Sequence, residues 1–246
     1  MARMKAALKR LMSDALATRG YRLAKIADVH ALKDHLRFVF ADLRVDCVVD
    51  VGAHRGDYGS WLRSIGYAGP IVSFEPVSGT YAELARHAAA DPRWSAHRMA
   101  LGSGEETREI GVAGSTDFSS FRSFTPFAGE AFPTQTRIAH REEVSIRRLD
   151  AVLDEVVPAG AQRLFLKLDT QGWDIEALEG ASGCLDRVVA LQLEASARSL
   201  YDGMPSYLEA LGYATRLGFT LTDVVPIVRD RRNRVIEYDC VLCRDS

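Results

Sequence analysis

Short β-rich runs alternate with helical stretches along most of the chain from residue 45 onward. Buried strands are predicted where valine, isoleucine and leucine cluster, at 45–51, 71–75, 95–101, 163–169 and 188–194. Helices are predicted between and after them, at 58–65, 80–90, 173–179 and 205–217. Strands that alternate with helices indicate a parallel sheet built from βαβ units.

Two segments depart from this alternation. Late strands at 219–225 and 235–242 are joined by a connection short enough for an antiparallel hairpin. The stretch 102–148 is rich in glycine, proline, serine and threonine, which predicts an irregular insertion with one or two short strands, such as 143–147. Four phenylalanines recur three residues apart in it: Phe118, Phe121, Phe124 and Phe127. They either pack in a core or form a surface for a substrate.

The first 44 residues are predicted to form an N-terminal helical extension, with the main domain over 45–246. Several apolar residues of the extension share one helical face, with basic residues beside it: Met4, Leu8, Leu11, Met12 and Leu16. We favour a helix that docks on the domain, or on a second subunit in a homodimer, over a helix that lies on a membrane surface.

Composition and charge exclude several classes of protein. The 246 residues are 47% apolar and carry 31 basic against 33 acidic residues, so nothing indicates a protein whose main function is to bind nucleic acid. Four scattered cysteines are too few for a disulfide framework. Cys240 and Cys243 lie in a predicted strand, where residues three apart face opposite sides and cannot easily share a metal. No apolar run approaches the roughly 20 residues that span a bilayer, so we expect no transmembrane segment and a cytoplasmic location.

A glycine-rich turn after the first strand is the strongest functional signal, in Asp50-Val-Gly-Ala-His-Arg-Gly. Gly52 allows a sharp turn, and Gly56 allows close packing where a helix begins. The motif lacks the third glycine of a dinucleotide fingerprint and the Gly-Lys-Ser/Thr of a P-loop. Asp50 suits a cationic amine better than a pyrophosphate.

Two later strand ends complete a nucleoside site. Glu75 lies about 20 residues beyond the loop, where an acidic residue binds both hydroxyls of a ribose. The third strand ends at Ala100 and Leu101, where a backbone edge can face an adenine. A nucleoside with a ribose diol and a positively charged amino-acid tail is S-adenosylmethionine, which is the expected cofactor.

From about Val45 to Arg244 the chain resembles the FkbM family of S-adenosylmethionine-dependent methyltransferases. The resemblance rests on the order and spacing of many short motifs: Asp50-Val-Gly-Ala-His-Arg-Gly, Ser73-Phe-Glu-Pro, Ala100-Leu-Gly, Ser119-Ser, Arg148-Leu-Asp, Leu166-Lys-Leu-Asp-Thr-Gln-Gly-Trp-Asp, Glu176-Ala-Leu-Glu-Gly-Ala and Gln192-Leu-Glu-Ala-Ser. The chain departs from the family at His54, where asparagine is usual, and at Gln171, where many members have glutamate.

The resemblance implies an α/β, class I methyltransferase (Rossmann-like) fold, with a seven-stranded, mostly parallel sheet whose last strand is antiparallel. It also implies O-methylation, commonly of sugar hydroxyls in glycans, glycolipids or other secondary metabolites, and hence a small-molecule or glycan acceptor. Together with the loop and the strand ends, it places these residues at the cofactor: Asp50, Gly52, Ala53, His54, Gly56, Tyr58, Glu75, Pro76, Ala100, Leu101, Asp117, Ser119, Ser120 and Asp169.

The candidate catalytic residues lie at later strand ends. Asp169 ends the fourth core strand and Glu194 the fifth, so both are expected to face the crevice near the transferable methyl. Either is a candidate base for the acceptor hydroxyl, or the two hold a divalent metal. Because Lys167 can pair with Asp169, we favour base catalysis without a metal. His140, in the insertion, is a third candidate that could reach the acceptor.

Two other functions stay open at this point. A nicotinamide-dependent oxidoreductase is disfavoured by the missing third glycine and by the position of Tyr21 and Lys25, a pair with catalytic spacing that precedes the glycine loop instead of following it. A non-catalytic nucleotide-binding module is disfavoured because it could dispense with Asp169 and Glu194, and both are present.

Overall fold

The computed structural model describes residues 31–244, so the first 30 residues of the predicted extension lie outside the described part. The helices of that part are α1 Ala31–Asp42, α2 Asp57–Ser64, α3 Ser78–Ala89, α4 Pro126–Ala131, α5 Leu149–Val156, α6 Asp174–Gly180 and α7 Tyr207–Arg216. The strands are β1 Cys47–Val51, β2 Ile71–Phe74, β3 Trp94–His97, β4 Ala100–Leu101, β5 Glu106–Ala113, β6 Ile138–Arg147, β7 Leu164–Leu168, β8 Val188–Ser196, β9 Phe219–Arg229 and β10 Val235–Arg244.

Seven strands form the central sheet, in the order β3-β2-β1-β7-β8-β10-β9. The pairs β1–β2, β1–β7, β2–β3 and β7–β8 are parallel, and β10 is antiparallel to both of its neighbours. The predicted βαβ units and the late hairpin are therefore confirmed. So is the expected class I methyltransferase fold, with its antiparallel last strand inserted next to β8.

Helices cover both faces of this sheet. α1 turns Leu36, Val39, Phe40 and Leu43 toward the sheet, where they join a buried cluster that includes Phe165. Their spacing of three and four residues is that of one helix face. The opposite face of the sheet packs against α5, α6 and α7 in a second buried cluster. β1 and β7 are buried along their whole length because both of their faces are covered.

The prediction of an irregular insertion over 102–148 is wrong for much of its length. β5 and β6 form a long antiparallel pair, and β4 joins β6 in parallel, so that β4-β6-β5 is a second, three-stranded sheet. The predicted strand at 95–101 is divided between the two sheets, as β3 and β4. The second sheet has a small apolar cluster of its own, Val77, Ile110, Val112 and Val144, and its Leu101 joins a core cluster of the main sheet. Much of the outer surface of β5 and β6 is exposed, which masked the alternation in the sequence.

No helix within residues 31–244 is long and apolar enough to cross a membrane.

Candidate active site

A crevice of about 590 Å³ opens beyond the carboxyl ends of β1, β2 and β7. The residues that follow these three strands, Gly52, Glu75 and Asp169, all line it, and β8 and β10 add one glutamate each. Ligands of open parallel sheets bind at this edge, because the turns after neighbouring strands converge there. The volume suits a nucleoside-sized ligand.

Only glycine fits the first position of the turn after β1. Gly52 has a φ of +77°, and a Cβ atom at this position would lie 1.9 Å from the backbone oxygen of Asp169. The glycine turn therefore packs directly on the backbone that follows β7. Gly56, with a φ of +90°, then begins α2 and faces the core instead of the crevice.

Glu75 is almost fully buried at the end of β2, and three donors hold its carboxyl group. Its Oε2 accepts from the backbone N–H of His54 at 2.9 Å, while its Oε1 accepts from the backbone N–H of Val77 at 2.9 Å and from the hydroxyl of Thr80 at 2.8 Å. Burial raises the pKa of Glu75 to about 7, against the opposite effect of these hydrogen bonds. Glu75 thereby joins the glycine loop to the second strand at the crevice wall.

His54 joins the glycine loop to the segment after β5. Its Nε2 lies 2.6 Å from the hydroxyl oxygen of Thr116 and 3.6 Å from Oδ1 of Asp117. Burial lowers the pKa of His54, so its ring is neutral at pH 7. Its backbone has a φ of +51°, in a region that asparagine and histidine enter more readily than most residues. Histidine can therefore replace the family's asparagine without altering the loop.

A row of buried polar side chains crosses the sheet beneath the crevice. The hydroxyl of Ser73 donates to Oδ2 of Asp50 at 3.2 Å, and Nζ of Lys167 lies 3.4 Å from Oδ1 of Asp50. Tyr58 donates from its hydroxyl to Oε1 of Gln192 at 2.7 Å. Burial raises the pKa of Asp50, and Lys167 opposes that rise. Asp50 is fully buried, pairs with Lys167 and is not among the residues that line the crevice, so its contact with a cofactor amine stays a prediction.

Asp169, directly after β7, and Glu194, two residues before the end of β8, meet at the crevice floor. The amide nitrogen of Gln171 donates to Oδ1 of Asp169 and to Oε2 of Glu194, each at 2.9 Å. The hydroxyl of Tyr201 donates to Oε1 of Gln171 at 2.6 Å, which fixes the orientation of the amide. Nζ of Lys167 donates to Oδ2 of Asp169 at 3.1 Å. The structure thus brings the two predicted carboxyl groups together.

The surroundings shift the pKa values of the two carboxyl groups in opposite directions. Burial alone would raise the pKa of Asp169, but the Lys167 ammonium and hydrogen bonds from Glu194 and Gln171 outweigh it and lower that pKa. Burial, and then the negative charges of Asp169 and Glu237, raise the pKa of Glu194 well above its ordinary value. These opposite shifts favour the ionised form of Asp169 and the neutral form of Glu194.

Most of the predicted cofactor residues line the crevice: Gly52, Ala53, His54, Tyr58, Glu75, Pro76, Ala100, Leu101, Asp117, Ser119 and Asp169. Asp50 and Gly56 lie behind its wall, and Ser120 is buried, donating from its hydroxyl to the backbone oxygen of Gln171 at 2.8 Å. His140 does not line the crevice. Its side chain is 58% exposed on β6, 4.0 Å from Glu142, and this position gives no support to a catalytic role.

Sequence reasoning missed several residues of the crevice. Glu237, buried in β10, lines it and accepts a hydrogen bond from the hydroxyl of Ser196 at 3.1 Å. An acidic residue inside an apolar strand was the available signal. Two of the four phenylalanines, Phe118 and Phe121, line the crevice. Phe118 also packs with Phe124 and Phe127 in a cluster around Tyr201. Among residues 31–244, no set of three or more His, Cys, Asp or Glu side chains is arranged to hold a metal ion.

The methyltransferase FkbM domain is the family whose pattern matches the chain, over residues 50–220. The chain belongs to the FkbM methyltransferase family. The matched range includes Glu75, Asp169 and Glu194, so the resemblance drawn from the motifs is confirmed, and with it S-adenosylmethionine as the cofactor of this methyltransferase. A comparison with curated proteins found no match.

Solved structures resemble the FkbM domain at low sequence identity. Fibrillarin from Aeropyrum pernix, with natively bound S-adenosyl-L-methionine, is 12% identical over 80% of this chain and 66% of its own, with a TM-score of 0.44. The O-methyltransferase NcsB1 from neocarzinostatin biosynthesis is 13% identical over 87% of this chain and 55% of its own, with a TM-score of 0.42. An rRNA methylase from Streptococcus thermophilus is 14% identical over 91% of this chain and 100% of its own, with a TM-score of 0.47. The chain therefore spans only about two thirds or less of the first two proteins.

The crevice of the FkbM domain fits the cofactor. Its volume accommodates a nucleoside, the missing side chain at Gly52 leaves the turn open, and the carboxyl group of Glu75 stands at the wall where ribose hydroxyls would be held. The backbone at Ala100 and Leu101 lines the same crevice, where the adenine would be held.

Proposed function

We propose that this methyltransferase is an O-methyltransferase whose acceptor is a hydroxyl of a sugar, a glycan, a glycolipid or another secondary metabolite. The observation that carries the proposal is the Asp169–Glu194 carboxyl pair at the crevice floor, beside the Gly52 turn. A hydroxyl becomes an effective nucleophile when a base accepts its proton as the new bond forms. A carboxylate at this position supports a hydroxyl acceptor.

The residues of the chain supply positioning and proton acceptance. The bound cofactor supplies a methyl group on a positively charged sulfur, which is already activated for in-line displacement. Asp169, kept ionised by Lys167, accepts the hydroxyl proton together with Glu194 as a pair. A base of this kind contributes about 10²–10⁴-fold to the rate, and the fixed orientation of the acceptor contributes further.

The crevice around the carboxyl pair supports a saccharide acceptor. Phe118 and Val228 supply apolar contacts, and Glu194 and Glu237 supply hydrogen-bonding groups. A sugar ring has carbon–hydrogen faces as well as hydroxyls, so it matches a lining that mixes apolar surface with a few polar groups.

The two other functions considered receive no support from the crevice. Membership of the FkbM family disfavours a nicotinamide-dependent oxidoreductase. A non-catalytic module has no use for an ionised carboxylate, held by Lys167, that reaches the crevice floor.

The proposal is tested with S-adenosylmethionine labelled in its methyl carbon and a panel of acceptors. Each hexose or deoxysugar is paired with two analogues, in which one hydroxyl is replaced by hydrogen or by an amine. Mass spectrometry should find the label on acceptors that have the hydroxyl and not on their deoxy partners. Transfer to the amine analogues alone would refute O-methylation.

A further inference from the structure

Glu194 lies among other acidic groups at the crevice floor, and Asp239 is its partner across the β8–β10 pair. The titratable groups that face it are Asp169 from β7, Glu237 and Asp239 from β10, and Tyr201 from the loop after β8. Burial raises the pKa of Tyr201 well above its ordinary value, so its hydroxyl stays neutral. Ionisation of Glu194 would therefore place a further negative charge among carboxyl groups.

Within residues 31–244, one cation, Lys167, forms ion pairs with these neighbouring carboxyl groups, and its partners are Asp169 and Asp50, not Glu194. Nζ of Lys167 lies 3.1 Å from Oδ2 of Asp169 and 3.4 Å from Oδ1 of Asp50. Glu194 instead accepts a hydrogen bond from the neutral amide of Gln171, at 2.9 Å. Since the amide nitrogen of Gln171 lies 2.9 Å from an oxygen of each carboxyl group, the two groups are close neighbours, and a proton shared by the pair relieves the repulsion.

We propose that the Asp169–Glu194 pair holds one proton in the ligand-free protein and releases it when the sulfonium cofactor enters the crevice. This inference rests on the proposed function. The side chain of Asp169 is 34% exposed, toward the crevice, so a cation bound there approaches the pair directly. The positive charge on the sulfur then offsets the repulsion between the two carboxylates that the proton had relieved, so both carboxyl groups ionise.

The raised pKa of Glu194 and the lowered pKa of Asp169 agree with a proton that resides on Glu194. A nearby positive charge favours the ionised form of a carboxyl group. Cofactor binding thus prepares the base for the step that follows, instead of leaving its protonation to the pH of the solution.

The transfer step then restores the starting protonation. A lone pair of the acceptor oxygen forms the new oxygen–carbon bond, and the carbon–sulfur bond breaks with its electron pair left on the sulfur. The hydroxyl proton passes to the Asp169–Glu194 pair. The sulfur is now neutral and the pair holds one proton again, so the positive charge and the second negative charge disappear together.

Calorimetry of cofactor binding tests the proposal without an acceptor. S-adenosylmethionine and S-adenosylhomocysteine share the ribose, the adenine and the amino-acid tail, and differ in the methyl group and the charge on the sulfur. Titrations at about pH 6.5, below the usual pKa of an α-amine, in buffers of different ionisation enthalpy give the number of protons released. We expect roughly one more proton for S-adenosylmethionine than for S-adenosylhomocysteine. Binding of both with equal proton release would overturn the proposal and leave the proposed function intact, whereas failure of both to bind would refute both.

Two isosteric variants locate the proton. Glu194→Gln keeps a hydrogen-bonding side chain of the same size, so it should bind both ligands and lose the difference in proton release. Glu142→Gln, which changes an acid that accepts hydrogen bonds from Ser78 and Arg98 and does not line the crevice, should keep that difference. A difference that persists in Glu194→Gln, or that disappears in Glu142→Gln instead, would contradict the assignment.

Discussion

Single polar residues near strand ends explain most of the site. Asp50, Ser73 and Lys167 each lie one position before the last residue of their strand, and the parallel register places them side by side beneath the crevice. The sequence was sufficient to place Glu75 and Asp169 at strand ends. The sequence could not show that the side chain of Asp50, two positions before the turn, is buried and pairs with Lys167. The pairing of the strands decides which side chains become neighbours.

At the residue scale, we expect Glu75→Ala to weaken binding of S-adenosylhomocysteine by about 1.5–3 kcal/mol, typical of hydrogen bonds to a charged group. The matched control is Glu142→Ala. The carboxylate of Glu142 accepts hydrogen bonds from Ser78 and Arg98 but does not line the crevice, so its loss should leave the affinity unchanged. Calorimetric titration measures both. An unchanged affinity in Glu75→Ala would remove Glu75 from the site.

Elements with continuous apolar runs were predictable, and those with exposed faces were not. β1, β7 and β8 are buried, and the runs of apolar residues in their sequences predict them. β5 and β6 carry many exposed, charged residues on a two-sided surface, and the glycines and prolines between them obscured the pairing. The core of the second sheet is small, so few apolar positions were available to indicate it.

At the element scale, the glycine turn makes a sharper prediction. Gly52 and Gly66 both have positive φ, but a Cβ at Gly66 would meet nothing within 4 Å, whereas one at Gly52 would overlap the backbone of Asp169. Gly66→Ala should therefore lose only about 1–2 kcal/mol of stability from backbone strain. Gly52→Ala should lose more stability and also lose cofactor binding, because the turn must separate from the end of β7. Thermal unfolding and ligand titration compare the two, and equal effects would contradict this account of the turn.

For the whole molecule, the small net charge gives no sign that acidic side chains are concentrated at the crevice. The net charge is only -2, yet Glu75, Glu194 and Glu237 lie together around the crevice with raised pKa values. Composition alone cannot reveal such a concentration, since the fold brings together carboxyl groups that are far apart in sequence. The boundary after residue 44 and a homodimer through the N-terminal helices stay predictions.

The buried carboxyl groups at the crevice make the free energy of unfolding depend on pH. Burial raises the pKa of Glu75 and of Glu237 to about 7, so the folded protein keeps protons that the unfolded chain has already released. The free energy of unfolding should therefore fall as the pH rises from about 4.5 to about 7, by up to about 1.4 kcal/mol per pH unit for each proton retained, and level off above about 7, where the folded protein releases these protons too. The lowered pKa of His54 acts below about pH 6.5 and opposes part of this fall.

Urea unfolding at the two ends of the window measures the slope. Glu237→Gln should flatten it, while Asp230→Asn, which changes an acid whose pKa is lowered by hydrogen bonds from Arg234, should leave it unchanged. Stability that rises across the window would contradict the raised pKa values.

The most direct test of the account is a single turnover with isotopically labelled cofactor, in wild type and in Asp169→Asn. With a hydroxyl acceptor in excess, mass spectrometry quantifies the labelled O-methyl product and S-adenosylhomocysteine. We predict equal amounts of the two in wild type. In Asp169→Asn we predict unchanged affinity for S-adenosylhomocysteine, whose sulfur is neutral, and a rate at least about 10²-fold lower. Transfer at the wild-type rate in Asp169→Asn would contradict the role of the carboxyl pair, and a wild-type crevice that does not bind the cofactor would contradict the site itself.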